Sequence, residues 1–224
     1  MDMKRNLFFI LLLCLAEDPV TFAGEQEGQP LKLPEPETRG DTSVEQAIGK
    51  RRSLRDFSGS LALTDVAQLL WAAQGETHPD GYRAAPSAGA LFPLEVYLVA
   101  GNVAGLSAGI YRYRPGAHEL IQLGTTDLRK DLASAAHGQS FMQTAPAVLV
   151  ITAVYERTMK KYGKRGRRYV HMDAGHAAEN VYLQAEARGL GTVIMGAFDD
   201  ERVQAVLGLP DDHQPLGLMP VGPR

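Results

Sequence analysis

Residues 173–192, DAGHAAENVYLQAEARGLGT, decide the fold class of this chain. Small apolar residues recur in this stretch at intervals of three and four positions: Ala174, Ala177, Ala178, Val181 and Ala185. This spacing is that of one face of an α-helix, and Gly189 is a typical helix stop. The pattern predicts a helix over residues 173–188 whose small side chains let another backbone approach closely.

Strand patterns precede and follow this helix. The run PAVLVITAV at residues 146–154 is continuously apolar, which favours a central strand covered on both faces. Pro115-Gly116 is a turn signal and predicts a hairpin between strands at residues 109–114 and 118–123. Further strands are expected at residues 94–100, 191–198 and 214–221.

A first helix is predicted near residue 43. Thr42 and Glu45 have the spacing of a capping box, with a hydroxyl at the N-cap and a carboxylate three residues on. Val44, Ala47 and Ile48 follow at helical spacing. These three residues therefore form one apolar helical face.

A second helix is predicted from Thr64 to Gly75, where a glycine in the left-handed conformation would end it. Shorter helices are expected at residues 127–136 and 199–207. Two helices thus precede the strands, and a hairpin interrupts the later alternation. This order fits an α+β or mixed three-layer plan better than a regular βαβ repeat.

Composition excludes several classes of protein. Apolar residues make up 45% of the 224 residues and charged residues 22%, so global disorder is excluded. The net charge of −3 excludes a strongly basic field over the whole protein, and we expect no nucleic-acid partner. Cys14 is the single cysteine, so neither an intrachain disulfide nor a cysteine-based zinc site can form.

The first residues have the pattern of a targeting segment. Lys4 and Arg5 precede an apolar run at residues 7–16. This run is too short for a membrane-spanning helix, which needs about 20 residues. The pattern predicts a signal peptide over residues 1–23 and an exported protein, periplasmic or extracellular, with no stable membrane span.

The segment after the apolar run differs from the rest of the chain in composition. Leu13 precedes Cys14 where a lipoprotein signal has a small residue, so lipidation is not expected. Residues 24–41 are rich in Gly, Pro and Glu and lack periodicity. We interpret them as a flexible leader or arm, which leaves residues 42–224 as the folded domain.

Three short motifs are interpreted as structural. The GLG at residues 189–191 lacks the third glycine of a dinucleotide-binding fingerprint and follows a helix instead of a strand. Ser87 lacks the preceding glycine and the strand of a nucleophile elbow. His171, Asp173 and His176 lack the spacing of metal ligands on one helix face, so no metal site is expected.

Residues 157–168, RTMKKYGKRGRR, hold seven of the chain's 23 cations. Such a run is typical of a solvated loop. A loop beside an anionic ligand is a second interpretation. Nucleic acid is disfavoured because the cations are not interleaved with several stacking aromatic residues.

The segment RRSLR at residues 51–55 joins cations to a hydroxyl at the end of the first helix. If the segment is extended, Arg51, Ser53 and Arg55 share one side by period-two alternation. Two guanidinium groups and a hydroxyl that face one way suit a phosphate. A solvated basic helix end is the alternative interpretation.

Two other segments have backbone that a flat ring could approach. The small residues of PSAGAL at residues 86–91 would let backbone N–H groups meet a polar ring edge. The apolar strand VIMGAF at residues 193–198 is interrupted by Gly196, where a ring could lie close to the backbone.

The sequence resembles the nitroreductase-like FMN oxidoreductases, and within them the SagB-type dehydrogenases that oxidise azolines in thiazole- and oxazole-modified peptides. The resemblance covers residues 43–222 and rests on four segments whose order and spacing are specific together: RRSLRDF at 51–57, APSAGALFPLEVYLV at 85–99, KYGKRGRRYVHMDAGHAAENVYLQAEARGLGT at 161–192 and GAFDDERVQAVLGLP at 196–210. It implies a three-layer α/β/α fold with a mixed, mainly antiparallel central sheet. It also implies a homodimer with FMN in each of two interface clefts.

The resemblance assigns the polar end of the cofactor to the first helix end. Arg51, Ser53 and Arg55 would hold the FMN phosphate and ribityl chain, and Arg224 is a further candidate for the phosphate. The small-residue helix at residues 174–185 would form the core of the dimer.

The resemblance assigns the flavin ring to two other segments. Pro86, Ser87 and Gly89 would come from the other subunit and lie against the isoalloxazine. Met195 and Gly196 would lie near flavin N5 and the ring face.

In the azoline-oxidising branch a Lys-Tyr pair acts in catalysis, and Lys161 and Tyr162 occupy the matching place. The resemblance implies that they remove a substrate proton while hydride moves to N5. The alternative is that Tyr162 only packs and Lys161 is solvated. The expected function is FMN-dependent oxidoreduction of a small-molecule or peptide substrate, with NAD(P)H or another electron donor. An azoline-to-azole peptide dehydrogenase and a non-catalytic flavin-binding module are the alternatives.

Overall fold

The computed structural model describes residues 28–224. The predicted signal peptide and Cys14 lie outside the described residues. The described strands are β1 (Leu31–Lys32), β2 (Leu61–Ala62), β3 (Leu94–Ala100), β4 (Val103–Ala104), β5 (Gly109–Arg114), β6 (Glu119–Gly124), β7 (Ala147–Ala153), β8 (Leu190–Thr192) and β9 (Gln214–Pro223). The described α-helices are α1 (Val44–Lys50), α2 (Leu63–Gln74), α3 (Arg129–Ala135), α4 (Phe141–Thr144), α5 (Tyr155–Tyr162), α6 (Gly166–Ala187) and α7 (Asp200–Leu207).

Seven of these strands form the central sheet, in the spatial order β1-β6-β5-β3-β7-β9-β8. Each neighbouring pair in it is antiparallel. Strands β2 and β4 form a separate parallel pair. The predicted α+β class and the mainly antiparallel sheet are confirmed. The parallel pairing lies outside the central sheet.

The central strand β7 explains the three-layer arrangement. Leu149 and Ile151 point to a core shared with α2 and α6, whereas Val148 and Val150 point to a core shared with α3, α4 and α7. Both faces of the sheet are therefore covered by helices. This is why the sequence of β7 is continuously apolar.

Helix α6 begins earlier than its sequence pattern predicts. It starts at Gly166 rather than at residue 173. The basic residues that precede the apolar stripe are therefore part of the helix. The residues of its apolar stripe, Ala174, Ala177, Ala178, Val181 and Ala185, lie at or below 8% exposure and pack with Leu69 and Leu70 of α2 in the same chain. The expectation that the face at residues 174–185 forms the dimer core is therefore wrong, since this face fills the protomer's own core.

Helix α1 is capped one residue later than expected. Ser43 is the N-cap, and its side chain and that of Gln46 form the capping box. Ala47 is buried, but Val44 is 64% and Ile48 58% exposed. The predicted apolar face thus exists, and most of it faces away from the protomer.

Two other details differ from the sequence predictions. Gly75 ends α2 with φ −61° and ψ 145°, which is extended and not left-handed. Glycine is required there because a Cβ would collide with the Trp71 indole ring. The strand expected at residues 191–198 is limited to β8 and a bridge between Met195 and Leu218.

Part of the predicted leader is packed on the domain. Strand β1 pairs with β6 at the edge of the sheet, and Leu33 is buried. The Gln68 side chain accepts a hydrogen bond from the Glu37 N–H at 2.8 Å and donates to the Glu37 carbonyl at 2.9 Å. The edge strand β6 offers unpaired backbone groups, which explains why this segment adds to it.

Candidate functional site

Tyr182 of α6 joins two of the segments singled out in the sequence. Its hydroxyl lies 3.0 Å from the Ser53 hydroxyl and accepts a hydrogen bond of 2.9 Å from the Ile194 N–H. The Arg51 guanidinium carbon lies 5.1 Å from the centre of the Tyr182 ring. We call these four residues, Arg51, Ser53, Tyr182 and Ile194, the Tyr182 cluster.

Backbone pairing fixes the Tyr182 cluster to the sheet. The Leu54 N–H donates to the carbonyl of Thr192, the last residue of β8, at 3.0 Å. Arg51 has its nearest carboxylate, that of Glu179, at 4.0 Å. Arg51 and Ser53 therefore meet beside residues 193–196, and the Arg51 charge is only weakly paired.

Arg55 does not join Arg51 and Ser53 at Tyr182. Its guanidinium carbon lies 5.8 Å from the centre of the Phe141 ring, at the start of α4. The segment forms no strand, so the predicted alternation brings together two of the three residues. Arg52 folds back onto its own helix end and donates to the Gly49 and Arg51 carbonyls at 3.1 and 2.7 Å.

Met195 and Gly196 follow Ile194 in the chain, and the first is buried whereas the second is exposed. Met195 is 5% exposed, and its side chain packs in the core beside α7. Its backbone pairs with Leu218 in both directions. Gly196 is exposed, and a Cβ built on it would have no atom within 4 Å. This point of the chain therefore offers open backbone.

Gly89 meets Lys161 and Tyr162, the predicted catalytic pair. A Cβ on Gly89 would lie 2.6 Å from the Tyr162 hydroxyl and 3.1 Å from the Lys161 amine. Gly89 has φ +65°, which also favours glycine. Lys161 is exposed at the end of α5, and Tyr162 is half-buried. Two motifs that are distant in sequence thus meet at one backbone position.

Asp173 holds the loop that carries Gly89, a role that the sequence analysis missed. Its carboxylate accepts a hydrogen bond of 2.7 Å from the Ser87 hydroxyl and a longer one of 3.4 Å from the Ala88 N–H. The Ser87 hydroxyl in turn accepts from the Phe92 N–H at 3.0 Å. Asp173 is 4% exposed, and burial raises the pKa of its carboxyl. We call Ser87, Gly89, Lys161, Tyr162 and Asp173 the Gly89 cluster.

The loop that carries Gly89 is strained. Ala90 and Phe92 have φ values of +53° and +44°, which residues with a side chain seldom adopt. Pro86 is exposed at the start of the same loop. Strain of this kind persists where the surroundings fix the backbone, and it concentrates at functional sites.

The two clusters lie at different places on α6. Asp173 and Tyr182 are nine residues apart, which corresponds to about 14 Å along the helix axis and two and a half turns. They therefore lie on opposite sides of the helix. A single chain therefore presents two separate clusters, one with the Arg51 guanidinium and one with the Lys-Tyr pair.

The nitroreductase family profile matches residues 48–223, which include both clusters. A protein of Methanocaldococcus jannaschii described as a nitroreductase is 44% identical over 86% of this chain and 95% of its own length. This chain belongs to the nitroreductase family.

A solved structure and a second relative agree with this assignment to the nitroreductase family. A Ralstonia eutropha protein described as a nitroreductase has 31% identity, covers 87% of this chain and 89% of its own, and superposes with a TM-score of 0.77. The microcin B17-processing protein of Escherichia coli is 29% identical over 66% of this chain. The match spans 57% of that Escherichia coli protein.

The other motifs of this nitroreductase-family chain have structural partners. Gly189 has φ +71° directly after α6, as a helix stop requires. His171 hydrogen-bonds the Tyr155 hydroxyl at 2.6 Å.

Within residues 28–224, no group of three or more potential metal ligands lies together. In the same range, no helix is both long and apolar enough to cross a membrane. Arg224 is paired with Glu186 and the Leu190 carbonyl.

A cavity of about 880 Å³ lies between residues 37–44, α2 and α6, away from both clusters. None of the residues predicted to bind FMN or to act in catalysis lines it. Asp65 and Arg188, which line it, are paired with each other at 2.5 Å. The two clusters, and not this cavity, therefore form the candidate site.

Proposed function

We propose that this nitroreductase-family protein is an FMN-dependent oxidoreductase that works as a homodimer, with one FMN in each of two clefts between the subunits. Bound FMN would supply two-electron chemistry by hydride transfer at its N5 position. The protein's own residues would bind and orient the cofactor and handle the accompanying proton. The meeting of Gly89 with Lys161 and Tyr162 carries this proposal.

The Tyr182 cluster and Arg55 fit the anionic end of FMN. Guanidinium groups bind phosphate well when no carboxylate already occupies them. Within residues 28–224, Arg55 has only its contact with the Phe141 ring, and the single ion pair of Arg51 is long. The Ser53 hydroxyl can still accept or donate one bond beyond that to Tyr182.

The backbone at two positions fits a flat ring. Gly196 is exposed with open space in front of it, and Gly89 is exposed on the strained loop. The Ser87 hydroxyl is already used by Asp173 and the Phe92 N–H. Ser87 would therefore contribute to ring binding through the backbone that its side chain positions, and Pro86 through its exposed ring.

Lys161 and Tyr162 would move the proton that accompanies hydride transfer. A hydroxyl and an amine that converge on one point can take a proton from a reactant or deliver one. Ring packing holds Tyr162, since its ring lies edge-on to Tyr169 with centroids 5.1 Å apart. Exchange of Tyr162 for Phe should keep this packing and remove the proton-transferring group.

The surface around α1 and α6 supports the dimer. The two clusters lie on opposite sides of α6, so in the proposed dimer one cluster from each chain would contribute to each FMN cleft. Val44, Ile48 and Met172 are more than half exposed on these helices. Exchange of Val44 and Ile48 for Ser should shift the dimer to monomer in light scattering, whereas Tyr82→Ser, at another exposed apolar residue, should not. An unchanged dimer would exclude α1 from the interface.

Flavin content tests the proposed function directly. The purified protein should absorb as oxidised flavin and release FMN on denaturation. Arg51→Ala with Arg55→Ala should lose FMN and keep the melting temperature of the FMN-free wild type. Arg52→Ala should keep FMN because Arg52 bonds its own helix end. A colourless protein that FMN cannot reconstitute would refute the proposal. Bound FMN without turnover of any donor or acceptor would indicate a non-catalytic flavin-binding module.

The Lys-Tyr pair also favours a second candidate, an azoline-to-azole peptide dehydrogenase. The supporting similarity is to the microcin B17-processing protein, over little more than half of that protein. Azole formation removes one hydride and one proton from the ring, and Lys161 or Tyr162 would take the proton. A thiazoline-containing peptide should lose two hydrogen masses with wild type and not with Tyr162→Phe. If the peptide kept its mass while nitroaromatic reduction was intact, the azoline dehydrogenase would be excluded. The FMN-dependent oxidoreductase would then remain as the proposed function.

A further inference from the structure

We propose that four exposed cations beside the Gly89 cluster select a reactant that carries a carboxylate or phosphate group. We call them the basic ridge: Lys160, Lys164, Arg165 and Arg168. The inference rests on the proposed function, because it names the class of reactant that the Gly89 cluster would receive. It replaces the interpretation of this run as a solvated loop, since α5 and α6 account for most of it.

The ridge residues differ from the other cations of the same run. Arg157 forms an ion pair of 2.6 Å with Glu95, and Arg167 lies 4.9 Å from the centre of the Tyr155 ring. Within residues 28–224, no ridge residue forms an ion pair with a carboxylate. Four positive charges thus remain without an anionic partner in a chain whose net charge is −3.

The ridge adjoins the Lys-Tyr pair on both sides. Lys160 and Lys164 flank Lys161 and Tyr162 along the chain. Arg165 precedes Tyr169 by four residues in helical conformation, so the two share a face, and Tyr169 packs edge-on against Tyr162. The ridge is therefore placed next to Tyr162, where it can act on a reactant bound there.

Electrostatics favours an anionic group on that reactant. Unpaired surface charges of one sign raise the local concentration and the association rate of ligands of opposite sign. The effect extends over a Debye length of about 8 Å at physiological ionic strength, which covers neighbouring side chains. The group recognised would be a carboxylate of the electron acceptor or the 2′-phosphate of NADPH, and the ridge would bind either by the same chemistry.

Two matched pairs of reactants test the ridge and separate these sources. The acceptors are 4-nitrobenzoate and neutral 4-nitrobenzamide, and the donors are NADPH and NADH. In the wild type, kcat/KM for the more anionic member of at least one pair should fall more steeply with added salt than kcat/KM for its neutral or less charged partner. The pair that responds identifies the source of the anion.

The ridge variant combines Lys164→Gln, Arg165→Gln and Arg168→Gln. It should lower kcat/KM for the more anionic member of the responding pair about tenfold, and by clearly more than for the other member. FMN content should stay within about twofold of the wild type. The control combines Arg39→Gln, Arg114→Gln and Lys130→Gln, exposed residues with the same total charge change. It should leave the selectivity as in the wild type.

Equal salt dependence for both members of both pairs would overturn the ridge proposal. So would an equal loss for charged and neutral reactants in the ridge variant. If the wild type turns over none of them, the proposed function fails. Calorimetry would then test the ridge through the affinities for 4-nitrobenzoate and 4-nitrobenzamide. Equal affinities would overturn the ridge proposal. Salt-sensitive binding of a DNA duplex through the ridge, without selectivity for the small anions, would replace the proposal by a nucleic-acid site.

Discussion

The Tyr182 cluster and the Gly89 cluster are built by different means on the same helix. In the first, a tyrosine hydroxyl joins Ser53 to Ile194, and none of these residues has a positive φ. In the second, a strained loop is held by the buried carboxylate of Asp173. The first region has unstrained backbone and a weakly paired arginine, whereas in the second a carboxylate holds strained backbone.

The difference matches what each region would have to do. Long guanidinium side chains can adjust to a phosphate, so their backbone needs little support. A proton-transferring pair needs placement to a fraction of an ångström, and such placement requires a rigid supporting shell. The comparison predicts that substitutions in the Gly89 cluster reduce turnover, whereas those in the Tyr182 cluster weaken cofactor binding.

The largest effect is expected from Asp173→Ala. The Ser87 hydroxyl and the Ala88 N–H would lose their acceptor, so the loop would move relative to Tyr162. Turnover should fall about 100-fold because a shift of an ångström suffices for such a loss. Urea unfolding should show a decrease of about 2 kcal/mol, as for other buried hydrogen bonds to a charged group.

Two controls separate positioning by Asp173 from general destabilisation. Asp173→Asn keeps one acceptor oxygen and should restore much of the turnover, and the exposed neighbour variant His176→Ala should behave as wild type. Most of the bound FMN should remain in all three variants, because Arg51, Ser53 and Arg55 would still hold its phosphate and ribityl chain. If Asp173→Ala lost FMN in proportion to its lost turnover, the division between the two clusters would be wrong.

The pH dependence of stability gives an independent check on Asp173. Burial raises the pKa of its carboxyl above the ordinary 3.8, so the folded state binds this proton more tightly than the unfolded state. Stability from this group is therefore present below pH 3.8 and is lost as the pH rises through the folded pKa. Asp173→Asn should flatten this part of the profile of unfolding free energy against pH. An unchanged slope would show that Asp173 titrates as in the unfolded chain.

A smaller effect is expected from Gly89→Ala. The new methyl group would lie 2.6 Å from the Tyr162 hydroxyl at a φ of +65°, so both contact and backbone are unfavourable. We expect the unfolding free energy to fall by about 1–2 kcal/mol and turnover by about tenfold. Gly40→Ala is the control, since a Cβ there meets nothing within 4 Å.

A double-mutant cycle with Tyr162→Phe isolates the contact at Gly89. Removal of the hydroxyl relieves the collision, so part of the stability lost in Gly89→Ala should return in the double variant. Additive losses in unfolding free energy would mean that Gly89 and Tyr162 do not meet.

The sequence predicted the central strands of the sheet better than the start of helix α6. Strands β3 and β5, the hairpin turn and the central position of β7 are confirmed because their apolar patterns report burial directly. The start of α6 was missed because Gly166 to Met172 lacks an apolar stripe. The role of its alanines could not be predicted, because the same small side chains suit contacts within a chain and between chains.

The sequence motifs identified residues of the candidate site, but they did not predict which residues contact one another. The sequence singled out Ser53 and Ser87, yet it gave no signal that Tyr182 and Asp173 connect them to α6. Each of these contacts joins residues more than 85 positions apart, except that of Tyr182 with Ile194. Such contacts depend on how α6 lies across the sheet, which local periodicity does not report.

The smallest effect is expected from Tyr182→Phe, which tests the role of the Tyr182 cluster in cofactor binding. The variant removes the hydroxyl that accepts from the Ile194 N–H and contacts Ser53, while the ring beneath Arg51 remains. One neutral hydrogen bond is worth about 1 kcal/mol, so the Kd for FMN should rise about fivefold, measured by flavin fluorescence. Turnover at saturating FMN should stay near the wild type, and Tyr82→Phe, an exposed tyrosine elsewhere, should change neither value. A loss of turnover as large as that of Asp173→Ala would mean that Tyr182 also fixes catalytic geometry, because cofactor binding alone cannot lower the rate of a saturated enzyme.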